Sequence, residues 1–161
     1  MPDLLVVAHV LAGGVGLMVG PVAAGARRKA RGLHTAAGWA YQVCCLVLCT
    51  TALGFVVVDP GLWPFALIAV ATQVAAAAAV VVRRRRRRGW IPLHVLLALG
   101  SYVSFVTAFA VQTVGGLLSW LVPSAAGSLM VYLVTARVAG AQRVPSQRTA
   151  ASASGSVKAP A

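Results

Sequence analysis

Residues 62–82 read LWPFALIAVATQVAAAAAVVV, an apolar run interrupted only by Thr72 and Gln73, and six consecutive arginines at 83–88 follow it directly. A transmembrane helix needs about 20 mostly apolar residues, and arginine-rich loops are retained on the cytoplasmic side of a membrane. A membrane β-strand would alternate apolar and polar residues, which this run does not. The stretch therefore predicts a membrane-spanning helix that ends at a cytoplasmic loop.

The composition of the whole chain points the same way. Of its 161 residues 60% are hydrophobic and only 10% are charged, and the mean hydropathy is +0.87. Soluble domains average about 45–50% apolar and about 25% charged residues. These values exclude a soluble globular domain, a disordered chain and a secreted disulfide framework.

Four further stretches are long and apolar enough to cross a membrane, so the predicted fold class is all-α, an integral membrane bundle of five transmembrane helices. The five predicted spans are 3–25, 35–58, 62–82, 90–112 and 114–136. Residues 137–161 are rich in Ser and Ala and contain no apolar run, which predicts a disordered basic cytoplasmic tail. The domain organisation is then a helical membrane domain at 1–136 followed by that tail.

The basic residues predict the orientation of the chain. All 14 lie at alternate ends of the spans, whereas the remaining ends carry only Asp3 and Asp59. The positive-inside rule places the N-terminus outside and the C-terminus in the cytoplasm, as in a multipass protein of the bacterial cytoplasmic (inner) membrane. The expected partners of the basic face are anionic lipids of the bilayer. Nucleic acid is not an expected partner, because no folded reading module accompanies the arginines.

The first span has a second interpretation, as a signal peptide, because Ala24-Gly25-Ala26 resembles a small-residue cleavage site. A signal peptide begins with basic residues, but this chain begins with Asp3 and carries its basic cluster after the apolar stretch. The sequence therefore favours a retained first span.

Histidine is the ionisable residue that lies inside the predicted spans, and such residues are candidates for function because burying them in lipid is costly. His34 and His94 are predicted near the cytoplasmic ends of spans two and four. His9 is expected about 15 Å or more from both, since it enters from the opposite face. This separation disfavours one zinc site built from three histidines.

The leading hypothesis is that His34 and His94 are metal ligands, the two axial ligands of a heme b held between spans two and four. Gly38 lies one helical turn beyond His34 and leaves room beside the imidazole, and Tyr41 continues the same face. Arg31 and the arginines at 83–88 are at the same end and would pair with heme propionates. The alternative is that the histidines only pack and hydrogen-bond in a structural or transport subunit.

The remaining polar residues predict no catalytic group. His9, Tyr102 and Gln73 are the other intramembrane polar candidates, and the three cysteines at 44, 45 and 49 are expected to act as small hydrophobes. Asp3 and Asp59 are assigned to the outer boundary, so no carboxylate is embedded in the membrane, and the sequence contains no nucleotide-binding, zincin or serine-nucleophile motif. An enzyme acting alone is therefore not favoured, and a homo-oligomer or a membrane redox partner would fit the heme hypothesis.

The order of several short motifs resembles a family of small bacterial membrane proteins without an assigned function, the predicted membrane proteins of domain-of-unknown-function family 2306. The resemblance covers most of residues 9–136. It implies the five-span architecture and a set of histidines to test, and it implies no reaction. The motifs that carry it are His9 with Gly13, Gly20-Pro21, His34 with Gly38 and Tyr41, His94, Gly100-Ser101-Tyr102, Thr107-Ala108-Phe109, and Trp120 with Pro123 and Gly127.

Overall fold

The computed structural model describes residues 2–26 and 32–154, with side chains for 3–26 and 32–142. Throughout these ranges the ordered elements are helices, and five of them are long and apolar enough to cross a membrane. This confirms the all-α prediction and the count of five apolar helices for the described residues. The helices are α1 (Pro2–Gly25), α2 (Leu33–Val58), α3 (Trp63–Arg85), α4 (Trp90–Val114) and α5 (Gly116–Ser154).

The connections between helices follow from residues that stop a helix. Between α2 and α3 a short 3₁₀ turn at Pro60–Leu62 is closed by Asp59, whose Oδ1 accepts a hydrogen bond of 2.9 Å from the Gly61 N–H. Between α4 and α5 the chain reverses at Gly115 and Gly116, whose φ angles are 71° and 77°. Side-chain-bearing residues rarely adopt this left-handed region, so the glycine pair fixes where α4 ends.

The fifth helix is longer than predicted. The sequence ends the fifth span at residue 136 and expects a disordered tail, whereas the backbone of α5 remains helical to Ser154 and passes Pro123 without a break. Alanine, arginine and glutamine, which favour helices, are frequent beyond residue 136 and account for the extension. Gly140, Ala141 and Gln142 are exposed. The domain boundary after residue 136 stays a prediction.

The first four helices form a ring in chain order. Each packs on the next, and α4 closes the ring against α1, while α5 packs on the outer side of α4. The backbones of α2 and α4 are nowhere close neighbours in the described chain, so these two helices lie diagonally and meet through side chains. The buried centre between them is formed by Tyr41, Cys45, Ala76 and Phe105.

Two glycines of α1 let aromatic side chains of α4 reach that centre. A Cβ added at Gly16 would lie 2.7 Å from the Phe105 ring, and one added at Gly20 would overlap the Tyr102 ring. The Tyr102 hydroxyl donates a hydrogen bond of 3.0 Å to the Leu17 carbonyl and fixes that ring in place. The small face of α1 thus accommodates rings rather than a neighbouring backbone.

Candidate functional site

Two histidines that are distant in sequence meet at one end of the bundle. His34 lies in the first turn of α2 and His94 in the second turn of α4. Their ring centroids are 6.4 Å apart and the ring planes are inclined by 77°. Because α2 and α4 lie diagonally across the ring of helices, the two imidazoles approach each other from opposite sides. We call this region the paired-histidine end.

Each of the two imidazoles is held by a carbonyl of the preceding helix. The Nδ1–H of His34 donates to the Ala23 carbonyl of α1 at 2.7 Å, and the Nδ1–H of His94 donates to the Ala79 carbonyl of α3 at 2.9 Å. A carbonyl can only accept, so Nδ1 carries the proton on each neutral ring. The lone pair of each neutral imidazole is therefore on Nε2. Histidines that bind metals are typically oriented by this kind of bond.

The distance between the rings suits two ligands of one metal. An imidazole nitrogen lies about 1.2 Å from its ring centre and binds a transition metal at about 2.0 Å, so imidazoles on opposite sides of a metal have centres about 6.4 Å apart. The observed centroid distance is 6.4 Å. Within the described residues no group of three or more His, Cys, Asp or Glu side chains could hold a metal ion. The metal-ligating side chains that meet at this place are therefore the two imidazoles.

A cationic side chain stands beside the pair. The Arg83 Nη2 donates to the Thr35 hydroxyl at 3.3 Å, next to His34 in sequence. Arg83 is half-buried, and the only acidic side chains of the chain are Asp3 and Asp59. Both are at the opposite end of the bundle, near the start of α1 and the end of α2. Arg31, the other predicted cation of the site, lies outside the described residues.

Below the histidine pair, the face of α2 is open one turn beyond His34, and the core is closed two turns beyond the histidines. At Gly38, one turn beyond His34, an added Cβ would meet no atom within 4 Å. Two turns beyond the histidines the core closes, because the Tyr41 hydroxyl donates to the Ser101 hydroxyl at 3.2 Å while Ser101 donates to the Ala98 carbonyl at 2.8 Å. The Tyr41 side chain thus makes its hydrogen bond to Ser101 and packs on Tyr102 and Phe105, and no hydrogen bond or ring contact joins it to either imidazole among the described residues.

His9 occupies a separate place, which we call the His9 end. Its Nδ1–H donates to the Thr51 hydroxyl at 2.8 Å, because that hydroxyl gives its own hydrogen to the carbonyls of α2 one turn earlier. Its ring packs edge-on against Phe55 with centroids 5.3 Å apart. On α1, His9 precedes Ala23, the partner of His34, by fourteen residues, or about 21 Å of helix.

The other predicted polar residues have structural surroundings. Tyr102 fills the space at Gly20, as described above, and Gln73 is half-buried with an Oε1 atom that has no hydrogen-bond partner among the described residues. The three cysteines are buried along α2, and Cys45 is fully inaccessible. These residues take no part in the paired-histidine end.

Several contacts at the two ends have no signal in the sequence. The acceptors of His34 and His94 are main-chain carbonyls of alanines, which no residue pattern can identify. Gln42 donates to the Ala76 carbonyl at 2.7 Å and ties α2 to α3. Thr51 could have been proposed only by aligning α1 against α2 in antiparallel register, which places it opposite His9.

Comparisons with protein-family models, with curated proteins and with solved structures found no match to this chain. The resemblance drawn from the sequence motifs accordingly stays a prediction. The site has to be interpreted from its own geometry.

Proposed function

We propose that the protein binds a heme b, or a closely similar metal macrocycle, through His34 and His94. The observation that carries the proposal is the paired arrangement of two imidazoles whose Nδ1 atoms are both engaged by backbone carbonyls. Their centroid distance of 6.4 Å is the separation expected for two ligands on opposite sides of one metal. The heme would supply redox chemistry, and the protein would supply the two ligands and their orientation.

Three features favour a macrocycle over a bare ion. A structural zinc takes four protein ligands, and the described residues offer two. A heme iron already has four nitrogens from its ring and needs two more ligands. Arg83 lies near the pair without a carboxylate at its end of the bundle, and an anionic edge of the ligand would offset its charge. The open space at Gly38 would accept part of a flat ring.

The second candidate function is a structural or transport subunit in which the histidines only connect helices. The observation that favours it is His9, which makes the same kind of Nδ1 hydrogen bond although it has no second imidazole beside it. In this account the bonds of His34 and His94 join α2 to α1 and α4 to α3 and serve no ligand.

Absorption spectra of the purified protein distinguish the two candidates. We expect protein expressed with added heme precursor to contain about one heme per chain and to give a low-spin spectrum when oxidised and when reduced with dithionite. A colourless, metal-free preparation that remains helical and unfolds cooperatively would overturn the heme proposal and leave the structural candidate.

The proposed setting is the bacterial cytoplasmic membrane, with the N-terminus outside and the paired-histidine end at the cytoplasmic face. Five helices of sufficient length and apolarity support insertion, and the basic residues at alternate ends support the orientation. A cysteine introduced at Pro60 should react with an impermeant thiol reagent added to intact cells, whereas one introduced at Arg85 should react only after lysis. The reverse labelling pattern would overturn the orientation.

A further inference from the structure

The ends of α2 and α3 place an arginine on an exposed tryptophan. The Arg84 guanidinium carbon lies 5.8 Å from the centroid of the Trp39 ring, in cation–π geometry. Trp39 is 51% exposed and lies on the outer surface of the ring of helices. It is six residues after Leu33, the start of α2, and so about 9 Å along that helix. Tryptophan is enriched at this depth, where headgroups meet acyl chains.

The contact leaves the hydrogen-bonding groups of Arg84 available. A guanidinium over a ring uses its flat face, while its N–H groups point outward in the plane. Arg84 makes no hydrogen bond or ion pair with the residues that the structure describes. Such a fixed fork of donors suits the two oxygens of a phosphate. The contact with Trp39 thus favours one position of an otherwise exposed arginine side chain.

No acidic side chain of the chain can serve as the anion at this place. Asp3 and Asp59 are the only two acidic residues, and both lie at the His9 end. Arg83 is next to Arg84 and uses one N–H group on Thr35, and the exposed arginines at 85–88 add further positive charge. An anion bound by Arg84 would therefore come from outside the part of the chain that the structure describes.

We infer that Trp39 and Arg84 form a binding site for the headgroup phosphate of an anionic phospholipid. The arginine would bind the phosphate, and the exposed ring of Trp39 would contact the adjoining glycerol and upper acyl chain. The inference does not depend on heme binding, because no hydrogen bond or ring contact joins either residue to His34 or His94 among the described residues. The inference assigns lipid binding to one position on the arginine-rich surface, whereas the surface charge alone would attract anionic lipids equally to all of its arginines.

Native mass spectrometry of the wild-type protein in detergent tests the site by adding phosphatidylglycerol or phosphatidylcholine with matched acyl chains. We expect binding to favour phosphatidylglycerol. Arg84→Gln should weaken phosphatidylglycerol binding about fivefold, the effect of losing one well-placed cationic contact at the membrane surface. Trp39→Leu, which changes no charge, should weaken it severalfold. Arg88→Gln is the matched control, because it removes the same charge outside the site, and it should leave binding almost unchanged.

Circular dichroism and thermal unfolding of each variant confirm that it is folded before its lipid binding is compared. Equal losses in Arg84→Gln and Arg88→Gln, or no loss in Trp39→Leu, would overturn the inference in favour of a general charge effect. A further arm adds inorganic phosphate or glycerol phosphate at millimolar concentration. Efficient displacement of phosphatidylglycerol by either soluble anion would overturn the assignment to a lipid.

Discussion

A histidine Nδ1–H donates a hydrogen bond to another helix at both ends of the helical bundle, twice at the paired-histidine end and once at the His9 end. At the paired-histidine end His34 and His94 each donate from Nδ1 to the preceding helix, and their rings lie 6.4 Å apart. At the His9 end one imidazole makes the corresponding bond to Thr51 and packs on Phe55. A histidine that connects two helices is thus a recurring structural feature, and only at the paired-histidine end do two such imidazoles lie next to each other.

The acceptors at the two ends also differ. At the paired-histidine end they are main-chain carbonyls, which remain when Ala23 or Ala79 is substituted. At the His9 end the acceptor is a hydroxyl that a single substitution removes. The comparison suggests that the orientation of His34 and His94 tolerates sequence change, whereas that of His9 depends on one side chain.

Removal of the imidazoles should give the largest effect. We expect His34→Ala and His94→Ala each to abolish the low-spin reduced spectrum, because both axial positions of the iron must be filled by imidazole. His9→Ala is the matched control and should retain the spectrum, since it lies about 21 Å along α1 from the partner of His34. Loss of the spectrum in folded His9→Ala would contradict the assignment of different roles to the two ends.

The glycines one turn after His34 and after His9 offer a second test. Gly38→Leu should lower heme content severalfold while leaving the thermal unfolding temperature of the heme-free protein almost unchanged, because a Cβ at this position meets no atom within 4 Å. Gly13→Leu should instead lower the unfolding temperature, because a Cβ there already lies 3.3 Å from the Leu48 side chain. Heme content per folded molecule, measured for both variants, distinguishes these outcomes. Equal heme loss in the two variants would contradict the placement of the heme beside Gly38.

The packing between the ends should respond to Gly20→Ala. The added methyl group overlaps the Tyr102 ring, which cannot move away without losing its bond to the Leu17 carbonyl. We expect a loss of about 1–3 kcal/mol in the free energy of unfolding, measured in detergent. Gly14→Ala is the control, because a Cβ there meets no atom within 4 Å, and it should be neutral or stabilising. A neutral Gly20→Ala variant would show that α4 packs differently on α1.

The smallest effect is expected at the His9 end. Thr51→Val removes the acceptor of the His9 Nδ1–H and leaves the size of the side chain almost unchanged. Interhelical hydrogen bonds of this kind contribute about 0.6 kcal/mol on average within a membrane. A double-mutant cycle of Thr51→Val with His9→Leu should measure a coupling of that size. A coupling of zero would show that the bond does not stabilise the α1–α2 pair.

The helices were predictable from the sequence because their signal is local. Each apolar run is long enough to define a helix without reference to its neighbours, as at residues 62–82, and the pairing of neighbouring helices follows from their short connections. The end of α5 was less predictable, because the helix continues through residues of high intrinsic propensity after the apolar stretch ends.

The site was predictable only in part. The depths of the histidines in the predicted spans were enough to propose His34 and His94 as a pair and to place His9 at a different site. The convergence of the two rings depends on the diagonal arrangement of α2 and α4, and their orientation depends on main-chain carbonyls of Ala23 and Ala79. Neither the rotation of a helix about its axis nor a backbone acceptor is encoded by a residue type.

Electron paramagnetic resonance of the oxidised protein tests the central claim, that His34 and His94 bind one iron from opposite sides. Near-perpendicular axial imidazole planes keep two iron d orbitals close in energy and give a strongly anisotropic low-spin ferric signal. The ring planes are inclined by 77°, so the account predicts that signal in the wild-type protein and its loss in His34→Ala and His94→Ala. A high-spin ferric signal, or no heme iron in folded wild-type protein, would contradict it.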